Sequence, residues 1–167
     1  INTPLNITKY LDTSQTYPPG MYGIRVSDIA NLNFRGALLV QVISDEQVYQ
    51  KVWGISFVSG SVRPQADFYG PVKVYTTGRW PSNSIEAYTS TLNFHDTLDI
   101  WASSRGTNCA IYGYQTPFFY FYKPVTIYAQ ASWSGDNVHG IYCNGVNCRT
   151  IFYDTLAIKS LSWSSTT

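Results

Sequence analysis

Residues 94–99 read Phe-His-Asp-Thr-Leu-Asp, which puts His95 beside Asp96 and Asp99 three positions on. A histidine next to carboxylates is common material for general acid–base chemistry. In a strand, however, adjacent side chains leave on opposite faces, so this cluster reads as a polar turn. His139 is the second of two histidines, and no Gly-x-Ser-x-Gly run occurs, so nothing points to a nucleophilic triad. Glycoside cleavage needs two carboxylates facing each other across a groove. The ten acids are scattered along the chain, so no catalytic residue is assigned and no enzyme is expected.

Residues 143–148, Cys-Asn-Gly-Val-Asn-Cys, are the most specific local feature. Asn-Gly tolerates positive φ and marks a tight turn, so Cys143 and Cys148 are expected to face each other across a hairpin. Free buried thiols, a small disulfide loop, or a metal site with Cys109 and His139 all remain open. A C-x4-C pair with a distant third cysteine is not a standard zinc spacing, and no metal or cofactor is assigned.

Three polar turns, 103–108, 132–137 and 143–148, carry Asn, Asp, Arg and Gly beside Trp101, Trp133 and Tyr142. A ring next to amide and carboxylate groups suits carbohydrate, because the ring covers the apolar face of a sugar while polar groups bond its hydroxyls. The candidate glycan contacts are Trp101, Arg105, Asn108, Trp133, Asp136, Asn137, Tyr142, Asn144 and Asn147. The competing reading is ordinary turns flanked by core aromatics.

Those turns need a scaffold. The chain has 167 residues, 44% of them hydrophobic and 13% charged, with a formal charge of +1. That is room for one domain or two small ones. It supplies no field to steer nucleic acid or an anionic membrane, and no apolar run reaches the ~20 residues of a spanning helix. Aromatic residues make up 16%, a composition suited to packing or to a binding face. The chain opens at Ile1, which reads as an excised or processed piece. Asn6-Ile7-Thr8 fits a glycosylation tripeptide and is given no role.

Strand patterns cover 37–44, 47–58, 71–78, 84–92, 97–104, 108–116, 118–133, 137–143 and 149–163. All are rich in Val, Ile, Tyr, Phe and Thr and broken by Gly, Pro, Asn and Ser. Residues 4–14 are read as one short helical turn. Gly-Arg-Trp-Pro-Ser-Asn-Ser at 78–84 is the best boundary, dividing the chain into 1–82 and 83–167. Phe-Phe-Tyr-Phe-Tyr at 118–122 has rings on both faces of a strand. Burying both faces calls for a core on one side and another subunit on the other, hence a homo-oligomer.

Residues 1–82 resemble the knob-type module of phage tail fibres, tailspikes and R-type pyocin fibres. The resemblance runs through 4–12 (PLNITKYLD), 18–34 (PPGMYGIRVSDIANLNF), 35–44 (RGALLVQVIS), 47–53 (QVYQKVW) and 72–82 (VKVYTTGRWPS). Phe34 stands where proline is usual, Thr76 stands where arginine is usual, and the second tryptophan after Trp80 is missing. The resemblance implies a virion fibre or tailspike assembled in the host cytoplasm. It further implies a homotrimer and a receptor-binding tip at 83–167 that adheres to a bacterial surface polysaccharide such as lipopolysaccharide or capsule. The expected architecture is all-β, with small β-sandwich or barrel units intertwined or packed about a threefold axis.

Overall fold

A computed structural model of the chain describes residues 5–11, 20–27, 31–44, 51–58, 63–132 and 137–162. Within them the chain winds in coils, each built from three strands. The first coil is β1 (Leu5–Leu11), β2 (Met21–Ser27) and β3 (Asn31–Phe34). The second is β4 (Leu38–Ser44), β5 (Val52–Val58) and β6 (Gln65–Phe68). The third is β7 (Val72–Gly78), β8 (Ser82–Ala87) and β9 (Thr91–Phe94). The fourth is β10 (Leu98–Ser104), β11 (Asn108–Tyr114) and β12 (Phe118–Phe121). The fifth is β13 (Val125–Ala131), β14 (Val138–Asn144) and β15 (Arg149–Phe152), and β16 (Leu156–Ser162) follows.

Like strands pair with like in parallel, so the chain is a β-solenoid with three sheets. They run β1-β4-β7-β10-β13-β16, β2-β5-β8-β11-β14 and β3-β6-β9-β12-β15. The shortest step along the first sheet, Val72 to Leu98, is 26 residues and the longest, Leu38 to Val72, is 34. Loops between strands absorb the difference while the strands stay in register.

The sequence reason is a repeated corner. Phe34, Phe68, Phe94, Phe121 and Phe152 are each followed, three residues further on, by an Ala, Pro or Thr and then by Leu or Val. The Phe ends a strand of the third sheet and the Leu or Val opens one of the first. Proline suits the place before a strand because it has no N–H to give the ladder. Each corner hands its bonds to the next: Leu38 N donates to Pro71 O, Val72 N to Thr97 O and Val125 N to Thr155 O. Asp96 and Asp154 serve this same corner by accepting from the Thr97 and Thr155 N–H groups, both at 2.7 Å.

Residues in register stack side chain on side chain, as repeats that cannot bury their own apolar faces must. The five phenylalanines form an inner ladder with centroid spacings of 4.9, 4.7, 5.2 and 4.7 Å. Ile24, Ile55, Ile85, Ile111 and Ile141 form a second. Gly54 must be glycine because a Cβ there would lie 2.4 Å from Val74 Cγ1 and 2.5 Å from Ser84 O.

The all-β expectation holds, with no helix among the described residues. The architecture is corrected: a parallel solenoid stands where sandwich or barrel units were expected. Residues 5–11 are strand β1 rather than a helical turn. The runs 84–92, 118–133 and 149–163 each contain a corner and are two strands apiece. The expected boundary near 82 falls at the corner between β7 and β8, and all three sheets continue across it. Segment 118–122 also needs no second subunit. Phe119 and Phe121 are fully buried in the chain's own core, and Arg63 covers Phe118 at 4.4 Å. Tyr122 stacks between His95 and Tyr153 on the outside.

A candidate ligand slot on the second sheet

In a register this strict, outward-facing rings also stack, and the stacking decides which ring faces a ligand can reach. Tyr69, His95, Tyr122 and Tyr153 form an outer ladder with spacings of 4.5, 4.8 and 4.9 Å and planes within 5°. Their faces cover one another, so solvent meets ring edges and hydroxyls. A ring can cover a sugar only where such a ladder ends or is interrupted.

The outer surface of the second sheet has an interruption. One outward row runs Tyr22, Trp53, Asn83, Cys109, His139, and a neighbouring row runs Arg25, Ser56, Glu86, Tyr112, Tyr142. Tyr22 and Trp53 stack at 4.5 Å and 4°. On the next two coils, Asn83 and Cys109 put short side chains where rings would stand. Three strand spacings, roughly 14 Å, separate the Trp53 and His139 positions across that gap. The second face of Trp53 is turned toward it, and His139 packs against Tyr142 at 4.8 Å on the far side.

Two hollows occupy the gap and share Pro81, Asn83 and Tyr112. The smaller, about 180 Å³, adds Lys51, Trp53, Glu86 and Tyr88. The larger, about 520 Å³, adds Thr107, Cys109, Asn137, His139 and Tyr142. Trp53 Nε1 is buried and has no hydrogen-bond partner among the described residues.

Glu86 is 5% exposed at the floor. Its Oε2 accepts from Ser56 Oγ at 2.9 Å and its Oε1 from Asn83 Nδ2 at 3.3 Å. These bonds leave lone pairs for further donors. Burial first, and the Glu86 charge with it, push the Tyr88 phenol upward. Burial and the same carboxylate also raise Tyr112, against the lowering effect of its hydrogen bond with Asn144. Both phenols therefore stay neutral donors at ordinary pH. Burial pushes the Cys109 thiol up to about 12, and its Sγ donates to Ile111 O at 3.0 Å. It presents sulfur as an apolar surface and has no nucleophilic character. Among the described residues, Glu86 is the one carboxylate bordering either hollow.

Of the residues singled out in the sequence, Asn137 and Tyr142 border the larger hollow. Asn144 borders a third hollow of about 340 Å³ beside Tyr114 and Gln115. Asn147 is exposed in the loop beyond it. Trp101 lies elsewhere, on the outside of the first sheet, stacked on Tyr128 at 3.9 Å. Arg105 is at the corner leading to β11, with its N–H donating to Gly78 O. Asn108 is corrected from contact residue to internal brace. It is fully buried, accepts from Ser82 Oγ at 3.1 Å and donates to Gln130 O at 3.0 Å. Trp133 and Asp136 lie outside the described residues.

Cys143 and Cys148 form a disulfide. It closes a corner between two sheets rather than an antiparallel hairpin, since β14 and β15 belong to different ladders. His95 pairs with Asp67 and not with its neighbour Asp96, while Asp99 pairs with Lys73 at 3.5 Å. Sequence reading missed Trp53, Asn83 and Glu86. The signal was present in the register of the repeat, which puts Trp53, Asn83 and His139 in one row.

No family model matches the chain, and no curated protein or solved structure is similar to it. The class that the coordinates define is a three-sheet parallel β-solenoid with an aromatic and polar slot on one lateral face.

Proposed function

We propose that the chain is a non-enzymatic receptor-binding segment that holds a bacterial surface glycan in the slot between Trp53 and His139. One observation carries the reading: the interruption of the outer row at Asn83 and Cys109, which leaves an aromatic face open beside a buried carboxylate and an amide. A sugar ring presents the complementary set, an apolar face and a rim of hydroxyls. Among the described residues the slot offers the one carboxylate of Glu86, which suits holding a glycan's hydroxyls, whereas hydrolysis uses an opposed pair.

The setting we propose is the tip of a trimeric phage or phage-like tail fibre, supported by the resemblance of residues 1–82 to knob-type fibre modules. A millimolar site contributes only about −4 kcal/mol. Three copies per fibre on several fibres reach firm adhesion through effective concentration. The test is a pull-down of the purified chain on whole bacteria and on their extracted lipopolysaccharide and capsule, with its mass in solution measured by light scattering. Retention on cells and glycan with a threefold mass supports the proposal. Failure to adhere to any surface glycan overturns it, and a monomeric mass removes the trimer.

A further inference from the structure

The two halves of the slot differ in chemistry, and the difference specifies the sugar. This inference rests on the glycan reading above. The smaller half carries Lys51, Asn83 and Glu86 beside Trp53. It can cover one sugar face and bond hydroxyls from both donor and acceptor groups. The larger half carries the Cys109 sulfur, whose one hydrogen is already given to Ile111 O, and the packed rings of His139 and Tyr142. Its inner wall therefore offers apolar contact. Asn83 stands where the two halves meet, and its amide is within reach of Glu86 on one side.

A plain hexose fills the polar half and leaves the thiol-and-ring half to water. A hexose bearing a small group with a polar root and an apolar end uses both. We infer that the slot takes an N-acetylated hexosamine. Its pyranose lies against Trp53, its acetamido methyl enters the space bounded by Cys109, His139 and Tyr142, and its amide faces Asn83 at the junction. An acidic group fits the larger half less well, because its carboxylate would lie among the Cys109 sulfur and the His139 and Tyr142 rings.

The two sources of an aromatic-covered sugar are separated by a matched ligand pair. Chito-oligosaccharides and cello-oligosaccharides share one backbone and differ at the acetamido group. Binding of each to the full chain is read by isothermal titration calorimetry and by Trp fluorescence, with a polyuronate as third probe. The expected result is at least tenfold tighter binding of the chito-oligosaccharide. That preference should fall to near unity in Tyr142→Ala, an exposed position whose truncation leaves the core intact. Equal affinities, or preference for the polyuronate, overturn the inference while the glycan reading stands. Binding of none of the three, together with no retention on extracted bacterial glycans, removes both.

Discussion

His95 Nε2 lies 3.0 Å from Asp67 Oδ1 while the His95 ring is stacked between Tyr69 and Tyr122. Asp67 also accepts from Gln65 at 3.0 Å and from Asn93 at 2.9 Å. One carboxylate thus ties three outward side chains of the third sheet together across neighbouring coils.

Burial pushes the Asp67 carboxyl up, but the hydrogen bonds from His95, Gln65 and Asn93 outweigh it and hold the group below its ordinary value of 3.8. A carboxyl lowered on folding contributes stability that is present above its unfolded value and is lost as pH falls through the folded one. The chain should therefore lose stability on acidification below about pH 4. Asp67→Asn should flatten that acid limb in urea titrations. Asp67→Ala should cost about 2 kcal/mol at neutral pH, because it strips the shared acceptor from three donors. An unchanged acid limb in the Asn variant contradicts this account.

The inner phenylalanine ladder predicts a gradient. Phe94 is 1% exposed and stacks on both Phe68 and Phe121, so Phe94→Ala should cost about 3–5 kcal/mol in denaturant unfolding. Tyr153 is 60% exposed and ends the outer ladder, so Tyr153→Ala should cost under about 1 kcal/mol. Similar costs at the two sites would mean the solenoid core is misplaced.

Gly54 tests the close approach of the second sheet to the first. A methyl group there meets Val74 and the Ser84 carbonyl inside contact distance, so Gly54→Ala should destabilise by about 1–3 kcal/mol. Calorimetry should show a lower Tm with no change in the cooperativity of melting.

The three cysteines should separate cleanly. With its thiol pushed up to about 12 and its side chain buried, Cys109 should resist alkylation at neutral pH until the chain unfolds. The Cys143–Cys148 bridge closes a short loop, sequence separation 5, and its reduction should cost about 2 kcal/mol by loop entropy. Mass spectrometry after alkylation, with and without reductant, should count no modified cysteines in the native oxidised chain and two in the native reduced chain.

Much of the strand content was legible, because Val, Ile, Tyr and Thr runs such as 38–44 and 98–104 are strands in any β fold. The architecture was not, for a physical reason. Alternation reports which face of a strand is buried and says nothing about whether its neighbour is parallel and a full coil away. The readable sign of parallel coils was the repeat around Phe34, Phe68, Phe94, Phe121 and Phe152, with unequal loops masking its period. The double-faced rings at 118–122 suggested another subunit. In a solenoid the inner rings find the next coil and the outer rings find their register partners. The slot was hidden for the same reason. Trp53, Asn83 and His139 are distant in sequence, and only the register puts them in a row.

Filling the gap is the most direct test of the central claim. Asn83→Trp would continue the Tyr22–Trp53 stack into the slot without touching the core, and Trp101→Ala would remove an exposed ring from a different face. Adhesion of each variant to the bacterial glycan that retains the parent chain should be measured by surface plasmon resonance, with circular dichroism as the folding control. The account predicts that Asn83→Trp keeps the fold and loses binding at least tenfold, while Trp101→Ala binds as the parent does. A folded Asn83→Trp that still binds fully, or a Trp101→Ala that does not, contradicts it.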